Sequence, residues 1–112
     1  MTLFYLLMAH LVGDFILQKD KLIQYKNPSN RAPRFAGVVR KDWWVYFMSA
    51  HSATHSLLVY MVTGNALIGM LEFILHFAID LGKCLGMYGV QADQFAHFLT
   101  KLLYVYLLST GI

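Results

Sequence analysis

Four pairs of polar residues, each spaced four residues apart inside an apolar stretch, constrain what this chain can form. On an α-helix, residues i and i+4 lie on the same face one turn apart, so each pair presents two side chains in one direction. All five histidines and three of the six acids belong to these pairs. Four such helices could direct up to eight nitrogen and oxygen ligands at one interior point. The pairs are His10 with Asp14, His51 with His55, His76 with Asp80, and Asp93 with His97.

The apolar stretches around these pairs predict helices that cross a membrane. The 112 residues suffice for one domain, and they are 58% hydrophobic and only 13% charged, about half the charged fraction usual in soluble domains. A helix that spans a bilayer needs about 17–25 mostly apolar residues. The sequence therefore predicts an all-α, four-helix transmembrane bundle that forms a single integral-membrane domain, residues 1–112. Its apolar blocks are Met1–Leu17, Trp43–Thr63, Ala66–Leu81 and Phe95–Leu108.

Basic residues are concentrated between the first two predicted helices. Seven of the nine lysines and arginines fall between Lys19 and Lys41. The positive-inside rule places this basic loop in the cytoplasm, so we expect an inner-membrane protein with both termini outside. Because the charge is confined to one loop, it does not resemble the basic face of a nucleic-acid binder, and no nucleic-acid partner is expected. The bilayer itself and an anionic lipid or lipid-linked substrate are the expected partners.

The four pairs are expected to lie at a similar height in the bundle. His10 and Asp14 come late in helix one, whereas His51 and His55 come early in helix two. The other two pairs close helix three and open helix four. Because successive helices alternate in direction, all four pairs fall in the same, cytoplasmic half.

This convergence predicts a divalent metal centre. Neutral imidazole suits zinc, iron, copper and nickel, and carboxylates either bind the ion directly or orient the imidazoles. Zinc is the expected metal. One or two ions are expected, because the eight candidate ligands exceed the four that one tetrahedral zinc takes. The candidate ligands are His10, His51, His55, His76, His97, Asp14, Asp80 and Asp93.

Four acids are candidates for water activation in a hydrolytic reaction: Asp14, Asp80, Asp93 and Glu72. Glu72 precedes His76 by four residues, and Lys101 follows His97 by four. Lys101 is expected to act as an interior counter-ion at least as readily as a catalytic group.

Other functions remain as alternatives. The polar residues could hydrogen-bond the helices together without a metal, or relay protons or metal ions. Histidines on facing helices could also ligate haem, although the carboxylate beside nearly every histidine disfavours that. A non-enzymatic bacterial or phage protein that binds another membrane protein, or a homo-oligomer, is also compatible with the sequence.

Three segments resemble an uncharacterised family of small membrane proteins of bacteria and phages, a domain of unknown function. They are Leu6–Gln18 with its His-x-x-x-Asp-Phe-x-Leu-Gln motif, His76–Lys83, and Asp93–His97 with its Asp-Gln-x-x-His motif. The resemblance spans nearly the whole chain and implies no activity. More remotely, His51–Leu58 is similar to a segment of SOS-regulated, membrane-bound, metal-dependent hydrolases. That resemblance implies metal ligation by His51 and His55. The expected function is a membrane-embedded, metal-dependent hydrolase that acts on a lipid-linked or head-group substrate from the cytoplasmic leaflet.

Overall fold

Four helices and a short hairpin make up the part of the chain that the computed structural model describes, which is residues 1–17, 26–28, 34–35, 38–39 and 42–111. Helix α1 continues directly into a π-helical segment, in which the turns are wider than in an α-helix. Two short strands pair antiparallel, with Arg34 opposite Val39. The elements are α1 (Thr2–Leu11), the π-helical segment (Val12–Ile16), β1 (Arg34–Phe35), β2 (Val38–Val39), α2 (Trp43–Thr63), α3 (Ala66–Cys84) and α4 (Val90–Ser109).

The turn between α2 and α3 has residues suited to its backbone. Gly64 ends α2 with a φ of 66°, a left-handed conformation that glycine adopts without a steric penalty. Asn65 then caps α3, because its Oδ1 accepts hydrogen bonds from the backbone N–H groups of Leu67 and Ile68. The two helices are thereby joined by two residues.

Each helix buries a line of residues three or four positions apart, and the lines meet in layers. One layer is an apolar core of Leu6, Val59, Ile68 and Tyr104. Next to this core, one helical turn from Ile68 in α3 and from Tyr104 in α4, the buried residues are Glu72 and Lys101. The buried histidines and aspartates lie on the other side of these two residues. The buried side of the bundle is thus mostly polar, whereas large apolar side chains such as Met61 (70% exposed) lie on its outer faces.

The expected transmembrane bundle is wrong. In the described ranges, no helix combines the length and the apolarity needed to cross a bilayer. Helix α1 has only ten residues. Helix α2 is longer, but its histidines, serines and threonines lower its mean hydropathy. Helix α3 contains Glu72, Asp80 and Lys83 within 19 residues. The sequence blocks were judged by their apolar residues, while the polar residues spaced through them lower the mean hydropathy of each helix.

The expectations that depended on those spans fall with them. Integral placement in the inner membrane, with the basic loop cytoplasmic and both termini outside, is wrong for the same reason. Most of the basic loop, and Gln18 of the first motif, lie outside the described residues. The all-helical bundle of four helices is confirmed.

Candidate metal centre

The five histidines come together in the middle of the bundle. The ring of His76 lies centrally, stacked on His55 with 3.8 Å between ring centroids and on His97 with 4.2 Å. His51 lies 4.8 Å from His76, and His10 lies 4.9 Å from His97. These imidazoles come from all four helices, which is the convergence that the spacing of the pairs predicts.

Asp14 connects the imidazoles of three helices. Its Oδ1 accepts a hydrogen bond from Nε2 of His55 at 2.9 Å and lies 3.2 Å from Nε2 of His51 and 3.9 Å from Nε2 of His76. Its Oδ2 lies 3.4 Å from Nε2 of His10. Asp14 belongs to the π-helical segment, a type of distortion frequent at functional sites. One carboxylate is therefore shared among four imidazoles.

Gly13 is buried beside Asp14 and leaves space for a histidine ring. A Cβ atom at this position would lie 2.6 Å from Cε1 and 2.7 Å from Nε2 of His55. Any larger residue would displace the His55 ring. The close approach of the π-helical segment to α2 therefore depends on glycine here.

Asp93 and His97 complete this assembly, which we call the histidine–aspartate centre: the five histidines with Asp14 and Asp93. Nε2 of His97 lies 3.3 Å from Oδ1 of Asp93. Within the described part of the chain, neither ring nitrogen of His97 or His76 has a hydrogen-bond partner, nor does Nε2 of His51. Buried polar atoms without partners are uncommon in proteins. These orphaned nitrogens are what an ion at this place would use.

Three groups of ligand atoms lie close enough to hold an ion. Within each group, every atom is within 4.8 Å of the others. Asp14 occurs in two of the groups, as do His76 and His97. These buried clusters could bind a metal, and their nitrogen and oxygen donors fit the divalent metals expected from the sequence. The groups are Asp14, His51, His55 and His76; His10, His76 and His97; and Asp14, Asp93 and His97.

Gln94 is a residue of the centre that the sequence reasoning did not assign. Its Oε1 accepts a hydrogen bond from Nε2 of His10 at 2.9 Å. Its Nε2 donates to Oδ2 of Asp14 at 3.0 Å and to Oδ2 of Asp93 at 3.1 Å. Gln94 thereby orients groups from α1 and α4. The signal for it in the sequence was its place in the Asp-Gln-x-x-His motif, directly after Asp93.

Asp80 lies at the edge of the centre and is bound to lysines. Its Oδ2 accepts a hydrogen bond from Lys26 at 2.5 Å, and its Oδ1 lies 3.2 Å from the Lys83 ammonium. The same carboxylate is 3.5 Å from Nε2 of His51. Asp80 is therefore positioned to orient His51 and is already neutralised by cations. Lys26 lies outside the helices, so no periodic pattern could have pointed to it.

Glu72 forms a buried pair with Lys101 one turn away from the centre. The Lys101 ammonium donates to both carboxylate oxygens of Glu72, at 2.7 and 3.0 Å, and both side chains are fully buried. A third bond joins Lys101 to Oγ1 of Thr100 at 3.2 Å. Oε1 of Glu72 lies 3.4 Å from Nδ1 of His76, so the pair is in contact with the centre.

Burial determines the charge state of three imidazoles. It lowers the pKa of His10 to about 4, and it also lowers the pKa of His51 and of His76. Burial acts in the opposite direction on Asp14, but its contacts with His51 and His55 outweigh burial and hold the pKa of this carboxyl below its usual value. At neutral pH His10, His51 and His76 are therefore uncharged and Asp14 is ionised, and these are the protonation states in which such groups bind a metal.

Two cavities lie along the bundle. One of about 240 Å³ reaches His10 and Gln94 between α1 and α4, and its walls are otherwise Leu7, Met8, Leu11 and Phe98. A larger one of about 530 Å³ lies between α2 and α3 and contains no residue of the centre. The smaller cavity is therefore the one through which a small molecule could approach the histidines.

Residues 2–111 match a protein family described as a protein of unknown function (DUF3307). The chain belongs to this family. No curated protein and no solved structure matches it. The resemblance of this DUF3307 chain to an uncharacterised family is confirmed, whereas its resemblance to the SOS-regulated hydrolases is not.

Proposed function

We propose that this protein is a metal-dependent hydrolase whose histidine–aspartate centre holds zinc, with positions for two ions. The observation that carries the proposal is the sharing of Asp14 between two groups of ligand atoms, one containing three imidazoles and one containing Asp93 and His97. If both sites were loaded, Asp14 would contribute to holding both ions. Paired ions of this kind commonly serve the hydrolysis of phosphate esters and amides.

The donor sets support zinc as the metal. His51, His55 and His76 together with Asp14 supply three nitrogens and one oxygen, a set that suits tetrahedral zinc. The second position draws on Asp14, Asp93 and His97, a group of one nitrogen and two carboxylate oxygens. Glu72 supports the first position, since a carboxylate beside Nδ1 of His76 favours a proton there and leaves Nε2 free to bind.

The chemistry follows from these ligands. A bound divalent ion acidifies a water molecule and polarises the ester bond under attack. With an ion in the first position alone, Asp93 would be the best placed general base, because its Oδ1 faces the centre without a hydrogen-bond partner in the described ranges. It would take a proton from the water as the water oxygen bonds to phosphorus or to the acyl carbon. The same proton then passes to the leaving alcohol as its bond breaks.

The substrate is an ester with an apolar, lipid-like part. The 240 Å³ cavity that reaches His10 has mainly apolar walls, including Leu7, Leu11 and Phe98. An alkyl or aryl group in this cavity would place its ester bond beside His10 and Gln94. Esters that lack such a group would be bound more weakly, because they leave this apolar surface unburied.

A non-catalytic metal site is the second candidate, and one observation favours it. The side chains of His51, His55, His76 and His97 are at most 1% exposed. Structural zinc sites are closed and fully ligated, whereas catalytic sites keep a position open to substrate. Metal binding without hydrolysis would therefore identify the site as structural.

The proposal is tested by measuring metal content and hydrolysis in the same preparations. The wild type, loaded with zinc and freed of excess, is expected to hold one or two ions per chain and to hydrolyse p-nitrophenyl esters. The double variant His55→Ala/His76→Ala removes two of the four ligands of the first position and should lose both properties. Gln91→Ala changes an exposed residue on α4 and serves as the matched control. A wild type that binds no divalent metal would overturn the proposal.

A further inference from the structure

Lys83 is a partly exposed cation at the edge of the centre. Its ammonium lies 3.2 Å from Oδ1 of Asp80 and 3.8 Å from Oδ2 of Asp93, so it bridges the ends of α3 and α4. Its side chain is 26% exposed, whereas the other two lysines that the structure describes, Lys26 and Lys101, are buried. Lys83 therefore contacts both the centre and the solvent.

The charges around the centre change sign when it is loaded. Three carboxylates, those of Asp14, Asp80 and Asp93, outnumber the ammonium groups of Lys26 and Lys83 by one. Among these carboxylate and ammonium groups the metal-free site thus has a net negative charge, which attracts a cation. One divalent ion makes the same set of groups positive, and a second ion makes it strongly positive. A positive, largely buried centre favours an anionic substrate.

Lys83 keeps donor capacity for such a substrate. An ammonium group has three N–H donors, and its contacts with Asp80 and Asp93 use at most two. Lysine commonly binds phosphate as a point charge. Phosphate is also the group that paired metal ions most often hold.

We propose that Lys83 and the loaded histidine–aspartate centre together bind the phosphate group of a phosphate monoester substrate. The inference extends the proposed function, because it assumes a loaded centre and adds the substrate class. Lys83 contacts a non-bridging phosphate oxygen from the solvent side, while the ions face the phosphate from the interior. A neutral carboxylic ester would gain nothing from this lysine.

The test measures binding of inorganic phosphate to zinc-loaded protein by calorimetry, with Lys83→Gln and the charge-retaining Lys83→Arg compared with the wild type. Lys83→Gln should bind phosphate about tenfold more weakly, since a charged hydrogen bond is lost, and Lys83→Arg should stay close to the wild type. Zinc content is measured in each preparation, so that affinities refer to equally loaded protein. Equal affinity in all three proteins, equal weakening in both variants, or undiminished binding to zinc-free protein would each overturn the inference.

Turnover separates this inference from the proposed function. In Lys83→Gln, the KM for p-nitrophenyl phosphate should rise about tenfold, and the KM for the neutral p-nitrophenyl acetate should rise much less. An equal effect on both esters would overturn the role of Lys83 in phosphate recognition and leave the hydrolase intact. Lys83-dependent phosphate binding without turnover of either ester would support the anion site and contradict the hydrolase.

Discussion

The buried Glu72–Lys101 pair and the histidine–aspartate centre are neighbouring polar layers of one bundle, yet they differ in completeness. In the pair, the ammonium group meets both carboxylate oxygens and the hydroxyl of Thr100. In the centre, both ring nitrogens of His76 and of His97 lack partners among the described residues. The comparison indicates that the hydrogen bonds of the pair are complete, whereas the centre has buried nitrogens that a metal ion could bind. Substitutions in the two layers should therefore have opposite effects on the metal-free protein.

The largest effect is expected from breaking the pair. Lys101→Met leaves the Glu72 carboxylate buried without a counter-ion, which typically costs about 3–5 kcal/mol. The free energy of unfolding, measured by urea denaturation of the metal-free protein, should fall by this amount. Glu72→Leu/Lys101→Met is the matched control, because replacing both charges by apolar groups is often close to neutral. If the single and double variants are equally unstable, the loss of stability does not come from leaving the Glu72 carboxylate without its Lys101 counter-ion.

Acidification should destabilise the metal-free protein through the centre. Burial lowers the pKa of His10 from 6.5 to about 4, so the unfolded chain takes up a proton at higher pH than the folded chain does. The free energy of unfolding should then fall as the pH decreases from about 6.5 towards 4. His10 alone accounts for about 3 kcal/mol at pH 4. The shifts of His51 and His76 have the same sign.

Denaturation of EDTA-treated protein at several pH values between 7 and 4 measures this slope. His10→Gln removes the titrating group and should make the slope shallower. A free energy of unfolding that stays constant over this range would contradict the burial of neutral imidazoles. Below about pH 3.8 the free energy of unfolding should fall further. The pKa of Asp14 is lowered in the folded state, so the unfolded chain takes up this proton first.

The smallest effect is expected from His76→Leu, and its sign is opposite to that of Lys101→Met. An apolar side chain of similar size removes two buried nitrogens that lack hydrogen bonds, so the metal-free protein should gain about 1 kcal/mol in stability. The same substitution should abolish the stabilisation of the wild type by added zinc, which calorimetric melting measures. A destabilised, zinc-free His76→Leu protein would mean that His76 has a structural role without metal.

The sequence predicted the centre better than its surroundings. A spacing of four residues is a property of the helix alone, so His51 and His55, or Asp93 and His97, had to share a face. The bounds of α2, Trp43–Thr63, also follow from its apolar block. By contrast, Lys26 reaches Asp80 from outside the helices, and only the folded chain brings it there. The prediction of membrane spans failed because it was based on the apolar residues of each block. The polar residues in the same blocks leave no described helix both long and apolar enough to cross a bilayer.

The two-residue turn at Gly64 and Asn65 has a consequence for the order of folding. Loops of this length close at a small cost in chain entropy, and contacts between residues near in sequence form fastest. The α2–α3 hairpin should therefore assemble early, bringing His51, His55 and His76 together. Helices α1 and α4 would dock later and add the remaining histidines with Asp14 and Asp93. Three of the four ligands of the first proposed metal position would then be together in the hairpin before Asp14 joins them.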